Sequence, residues 1–436
     1  MTWKTTTYKA WGRALSATGD LARPESQKAL AAIADQGPAI GMRRSYGDAS
    51  LRSDGRAVDM TRLDRFLDFD EASGEVTLEA GVRLGDILRV FAPKGWLPPV
   101  LPGTGFATVG GAIANDVHGK NHHIAGTFGE HVTAINLIQN GKAVTLSPAK
   151  SAAMFKATIA GLGQTGIITS AKLRLVPAKG DLMMVTERRV RDWDEQLDAI
   201  TNAKSPYVVG WIDATASGAE FGRGIVEEGE TGFGIVKKRG RSRAFPFDAP
   251  SFATSKAIVK MFNALYLRRV SLHGRTRAKP LSDFYFPLDR ILDWNRGYGK
   301  AGFHQFQCVV PLASTDKLKA IMERIVASGL AMPPTVIKRL GPGRGGMMSF
   351  PMEGWTLAVD FPNRGGSMAL IEELHGMTED AGGRIYLAKD SLLSPDRVRR
   401  MYPELAEWQK LVKKADPDGR LQTDLVKRLK LREARA

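Results

Sequence analysis

Short apolar runs broken by glycine-rich turns fill the first 177 residues. Residues 57–60 and 75–80 read as strands, the second bounded by Gly74 and Gly81. Residues 84–91 read as a helix that must end before Pro93. Residues 132–139 and 142–146 read as a hairpin about Asn140-Gly141, a pair suited to the positive φ of a tight hairpin turn. A helix over 154–160 and a strand over 167–176 follow. From about 178 to 383 the elements lengthen, with strands at 207–212, 304–311 and 355–361 and helices at 315–328 and 368–380. The last 50 residues read as polar helices punctuated by Pro403 and Pro417. This pattern predicts a mixed α+β chain in two lobes.

Composition narrows the picture. With 43% apolar and 25% charged residues, the chain is no disordered polymer. Its single cysteine, Cys308, excludes a disulfide framework and cysteine-based metal clusters, and fits a reducing compartment. The opening MTWKTTTYKAWGR lacks an apolar core, and no run of about 18 apolar residues exists. A cytoplasmic protein with no signal peptide or spanning helix, peripheral on a membrane at most, is the expectation.

The net charge of +16 is concentrated. Segment 237–279 holds twelve Lys and Arg (237, 238, 239, 241, 243, 256, 260, 268, 269, 275, 277 and 279) against one acid, Asp248, a balance of +11. Within it Ile258, Met261, Phe262 and Leu265 recur at helical spacing. A basic amphipathic helix suits an anionic membrane surface, at roughly 1 kcal/mol per cation, or a lid over an anionic ligand. A solvated insertion with its stripe packed inward is the plain alternative. No nucleic-acid signature accompanies the charge, so nucleic acid is not expected.

Two G-x-G-x-x-G matches carry no dinucleotide reading. Residues 161–166 follow a helix and precede a strand, the reverse of what that fingerprint requires. Residues 341–346 hold a proline where a helix should start and read as a loop. Residues 39–49 (AIGMRRSYGDA) and 101–119 (LPGTGFATVGGAIANDVHG) are richer. Small residues let backbone N–H groups converge on a pyrophosphate, and Gly-Gly lets a flat ring approach the main chain. A tight turn is the alternative for either alone. His118, His122, His123 and His131 lack an HExxH or cysteine partner, so no metal site is expected.

The runs RSYGD and TVGGAIANDVHGKNHH resemble those of FAD-linked oxidoreductases of the vanillyl-alcohol-oxidase type (PCMH-type FAD-binding), and among these the decaprenylphosphoryl-ribose 2′-oxidase-like branch. Further similarity at AWGR, YFPLD, WNR, QFQ, VIKR, YLAKDS and MYP carries it nearly end to end. The resemblance implies an α+β fold, with an FAD domain split between 1–177 and 384–436. An α+β substrate domain on an antiparallel sheet, 178–383, would stand between them and carry the basic insertion. It implies FAD held by Gly41, Arg43, Arg44, Ser45, Tyr46, Gly47, Asp48, Gly103, Thr104, Thr108, Val109, Gly110, Gly111, Ala114, Asn115, His118, Gly119, Ile168 and Tyr386. Tyr46 stands where many relatives carry a flavin-linking histidine, so non-covalent FAD is expected.

Lys389, His118 and Tyr46 are the implied catalytic residues. Tyr285, Gln305, Gln307, Lys338, Thr356 and Ala358 are the implied substrate contacts. Lys389 would assist deprotonation of a sugar hydroxyl; read alone it could equally be a surface lysine paired with Asp390. Ala358 and Asn115 replace family cysteines, and Thr356 an asparagine, which leaves the chemistry and alters substrate fit. The implied substrate is a lipid-linked or small sugar, foremost the 2′-hydroxyl of a polyprenyl-phosphoryl ribose, as the first half of an epimerisation completed by an NADH-dependent epimerase partner. Segment 237–279 would be a mobile lid docking that substrate at an anionic membrane. A soluble aldonolactone or alditol oxidase of the same fold is one alternative. A membrane- or nucleic-acid-binding protein with a vestigial flavin site is the other.

Overall fold

Strands Lys4–Lys9 and Ser16–Ala22 pair antiparallel, and the sheet continues in parallel through Arg56–Asp59 to Ala39–Ile40. The coordinates are a computed structural model that describes residues 2–236, 240 and 242–432; Lys237, Lys238, Arg239 and Arg241 of the basic segment lie outside the described residues. A second sheet, wholly antiparallel, runs Phe66–Asp70, Glu75–Glu79, Ile167–Arg174, Val132–Gln139, Lys142–Leu146. Its last two strands form the predicted hairpin, with φ of 47° at Asn140 and 73° at Gly141. Helix Leu84–Phe91 buries Leu84, Ile87, Leu88 and Phe91 at the i, i+3, i+4, i+7 positions of one face.

The third sheet has eight strands, all antiparallel: Arg275–Pro280, Leu182–Val190, Gly224–Gly232, Tyr207–Ile212, Met332–Leu340, Gly354–Pro362, Phe303–Pro311 and Arg384–Ile385. Strand periodicity sorts its side chains onto two faces. Phe306, Cys308, Leu357, Val359 and Ile337 point one way and are sealed against helices Trp193–Thr201, Thr315–Ser328 and Ser367–Asp380. Register then aligns Gln305 with Asp360, Gln307 with Ala358, and Lys338 with Thr356 on the opposite face. That face continues through Glu227 to Glu187.

The carboxy-terminal helices Pro395–Met401, Leu405–Ala415 and Asp424–Arg428 are less polar than their sequence suggests. Leu405, Trp408 and Val412, at i, i+3 and i+7, are buried, and their cluster is the one that backs the eight-stranded sheet. The helix expected at 154–160 spans Ala152–Thr158, because Ala160 takes φ of 58° and cannot continue it. Residues 161–166 join that helix to strand Ile167–Arg174, and 341–346 form a loop between two strands, as their sequence implied.

Candidate active site

Close backbone contacts weld three segments together. A β-carbon on Gly41 would fall 2.4 Å from Thr108 Oγ1, joining the two glycine segments. One on Gly47 would fall 1.7 Å from the Asp390 carbonyl oxygen, so only glycine lets the first segment lie against the turn that carries Lys389. Tyr46 N–H donates to the Ala388 carbonyl (3.2 Å) and fixes the same junction. The Tyr46 ring is then edge-on to Phe303 (centroids 5.5 Å apart) and tilted against Trp294 (6.4 Å). Lys389 Nζ stands 3.7 Å from the Tyr46 ring centroid. Asp390 is committed to Arg428 rather than to Lys389.

Burial dominates the electrostatics. Lys389 is pushed down to about 7, chiefly by desolvation and further by Lys338, with Asp360 opposing. Lys338 falls to about 8 through desolvation and the charge of Lys120. Asp360 rises to about 6 by desolvation, restrained by hydrogen bonds from Gln305 Nε2 (2.5 Å) and Tyr298 Oη (2.8 Å) and by Lys389. His118 is driven well down by desolvation and then by Lys338, so it stays neutral. Its Nε2 lies 3.2 Å from Gln307 Nε2, and Gln307 donates to Thr356 Oγ1 at 3.2 Å. The two glutamines share a face as their spacing requires, yet hold different partners. Lys389, Lys338, Tyr46, Gln305 and Ala358 are half-buried, while Phe306, Leu357 and Val359 next to Gln305 and Ala358 are sealed.

Residues 109–114 form a helix whose cap is Thr108, its Oγ1 accepting from Gly111 N–H (3.3 Å). Gly110 N–H donates to Ala80, the Ala114 carbonyl accepts from Leu162, and Val109 and Ile168 are buried. Tyr386 Oη donates to the Asn115 carbonyl (3.1 Å), and its ring stacks on Phe350 beside His118. Gly119 offers its carbonyl to Lys338 Nζ at 3.5 Å. Ser45 and Tyr46 carbonyls accept from Trp11 and Gly12, and Arg43 takes φ of 50°. Both Asp48 oxygens are held by Arg428, and Thr104 Oγ1 donates to Asp289. These two shape the cradle from behind, while Gly103 faces open space. Tyr285 packs edge-on against Tyr207 and Phe284, whose carbonyl accepts from Lys120.

A flavin dinucleotide fits what this cradle offers. Arg44 Nε, Asn115 Oδ1 and His118 Nδ1 are buried with no partner among the described residues, one on the first glycine segment and two on the second. The Arg44 guanidinium carbon lies over the rings of Trp11 (3.9 Å to the centroid) and Phe106 (4.5 Å). The histidine run is otherwise spent structurally: His122 accepts from Gly341 N–H and bonds the Gly343 carbonyl, and His131 bonds the Ala125 carbonyl. Among the described residues no group of three His, Cys, Asp or Glu gathers as a metal would need.

Sequence reasoning missed Asp360, Tyr298 and Lys120. The alternation of Thr356, Ala358 and Asp360 could have revealed the first, and the lysine inside HGKNHH the last. Lys120 donates to Glu227 (3.0 Å) and to the Phe284 carbonyl (2.7 Å). Tyr298 is joined to the site only by folding.

Fold and site define a FAD-dependent oxidoreductase acting on CH–OH groups. Residues 23–147 match the FAD binding domain family. Decaprenylphosphoryl-β-D-ribose oxidase of Mycolicibacterium smegmatis is 35% identical over 90% of this chain and 89% of its own length. An uncharacterised protein of Streptomyces coelicolor is 31% identical over 80% of this chain and its own full length. D-arabinono-1,4-lactone oxidase of Yarrowia lipolytica is 28% identical over 39% of this chain. The chain belongs to the family of decaprenylphosphoryl-β-D-ribose oxidase. Among the described residues no helix is long and apolar enough to cross a membrane.

Proposed function

We propose that the protein oxidises a secondary hydroxyl of a sugar, foremost the 2′-hydroxyl of a polyprenyl-phosphoryl ribose. The observation that carries this is Lys389, lowered to about 7, its Nζ 3.7 Å from the Tyr46 ring centroid and its charge coupled to Lys338 and to Asp360, which Gln305 holds. Residues 1–177 and 384–436 would build the FAD part and 178–383 the substrate face. FAD would be held non-covalently by the two glycine segments, Asn115, His118 and Tyr386, and supplies the hydride acceptor. Neutral Lys389 receives the hydroxyl proton, and a base poised near neutral pH suits that task. Gln305 and Gln307 orient the sugar through hydrogen bonds, His118 remaining neutral beside them. Lys338, charged below about 8, attracts the phosphate. The cage of Tyr46, Trp294 and Phe303 excludes water from the proton's path.

Anaerobic addition of polyprenyl-phosphoryl ribose to the purified holoprotein should bleach the flavin absorbance. Bleaching by an aldonolactone or alditol, with none by the lipid-linked sugar, would replace this reading with the small-sugar oxidase that the arabinonolactone oxidase likeness supports. An NADH-dependent epimerase accepting the keto product is the partner this reading calls for.

A further inference from the structure

The basic segment keeps its apolar stripe outside. Helix Lys256–Arg268 is fastened to the eight-stranded sheet by one side only. Val259 and Asn263 are buried on that side, with Val270 just beyond the helix, and Asn263 Nδ2 donates to Asp213 Oδ1 at 2.8 Å. Tyr266 packs on Trp211, ring centroids 4.7 Å apart. Past the helix, Arg269 joins Glu187 at 2.6 Å. Before it, Arg364 donates to the Thr254 carbonyl at 3.0 Å. The stripe on the other side, Ile258, Met261, Phe262 and Leu265, is 36%, 56%, 47% and 61% exposed.

The stripe does not stand alone. Phe252, in the turn before the helix, and Leu272, just after it, are also exposed. Single exposed apolar residues are ordinary; a cluster of this kind marks a surface that meets something. The charge beside it identifies the chemistry. Lys256, Lys260 and Arg268, on the helix itself, are exposed and form no ion pair among the described residues. The segment's one acid, Asp248, is clamped by Arg13 (2.7 Å) and Arg296 (3.0 Å), so it cancels none of them. A protein partner with an apolar patch would not by itself need this cation excess. An anionic bilayer offers apolar depth beneath a sheet of negative charge, and both halves of the surface match it.

We infer that helix Lys256–Arg268, with the exposed aromatic and aliphatic residues around it, docks the protein on anionic membranes in the plane of the interface. The helix is a fixed platform, pinned through Asn263, Tyr266 and Arg269, rather than a loose lid. The inference stands apart from the oxidase reading, because vesicle binding is read without turnover.

The test uses the full-length holoprotein and vesicles of phosphatidylcholine with or without phosphatidylglycerol. In the Leu265→Trp variant, emission compared with the parent protein should shift to the blue on anionic vesicles and stay put on neutral ones. Co-sedimentation should weaken by between about tenfold and a hundredfold in the Met261→Ser/Phe262→Ser double variant, which removes two half-exposed apolar side chains from the bilayer. Raising salt should release the parent protein. Flavin absorbance should be unchanged in both variants, and a thermal midpoint close to the parent's would show that removing the Phe262 ring from Tyr266 has not freed the helix. Failure to bind anionic vesicles, or binding that the double variant leaves intact, overturns the inference. So does a self-association that the double variant abolishes while vesicles capture nothing, which would make the face a contact between two copies.

Discussion

At the residue scale, the proposed chemistry rests on two lysines whose charges are set by burial. Lys389 must be neutral to accept a proton, and its pKa is about 7, so kcat should fall as pH drops through about 7. Lys338 must be charged to hold a phosphate, and its pKa is about 8, so KM should rise as pH climbs through about 8. A steady-state pH profile that separates kcat from KM checks both limbs. Lys389→Ala should keep its FAD and lose about a hundred- to ten-thousandfold in turnover. Asp360 pulls the Lys389 pKa upward. Asp360→Asn should therefore move the acid limb of kcat to lower pH, an effect that a merely weakened fold would not produce.

At the element scale, strand Gly354–Pro362 shows what period-two alternation decides. Leu357 and Val359 are sealed against helices, while Ala358 between them is half-open to the site. The one native thiol, Cys308, is fully buried on the sealed face and its pKa is pushed up to about 12. Native protein should thus resist a water-soluble thiol reagent, whereas Ala358→Cys should react and be protected by substrate. The alternation was legible in WTLAVDF; which face would be sealed by helices was not, because that depends on what packs against each side. Helix Asp424–Arg428 supplies a second case. Arg428 bridges Asp48 in the first glycine segment and Asp390 next to Lys389, at 2.8 Å to each. Arg428→Ala would leave two buried carboxylates uncompensated and should cost about 3–5 kcal/mol in denaturant unfolding. Nothing in the sequence near 428 pointed to that role, since its partners lie 380 and 38 residues away.

At the scale of the whole molecule, the cofactor is expected to complete the fold as well as the chemistry. Arg44, Asn115 and His118 each bury a polar atom that lacks a partner among the described residues. Apoprotein should accordingly melt lower than holoprotein, with FAD at about a hundred times its Kd restoring roughly 2.7 kcal/mol. Acid precipitation should release yellow colour to the supernatant, as Tyr46 offers no histidine for a flavin link. The sequence by itself determined the glycine segments, the Asn140-Gly141 hairpin, the helical stripe of 258–265 and the family, because these are local patterns that physics or kinship reads directly. Only the tertiary structure decided that Asp360 and Tyr298 join Lys389, that Asp48 answers to Arg428, and that the apolar stripe faces outward. Each of those outcomes depends on which distant segment arrives at a side chain, and burial, which sets the charges of the site, exists only once the segments have met.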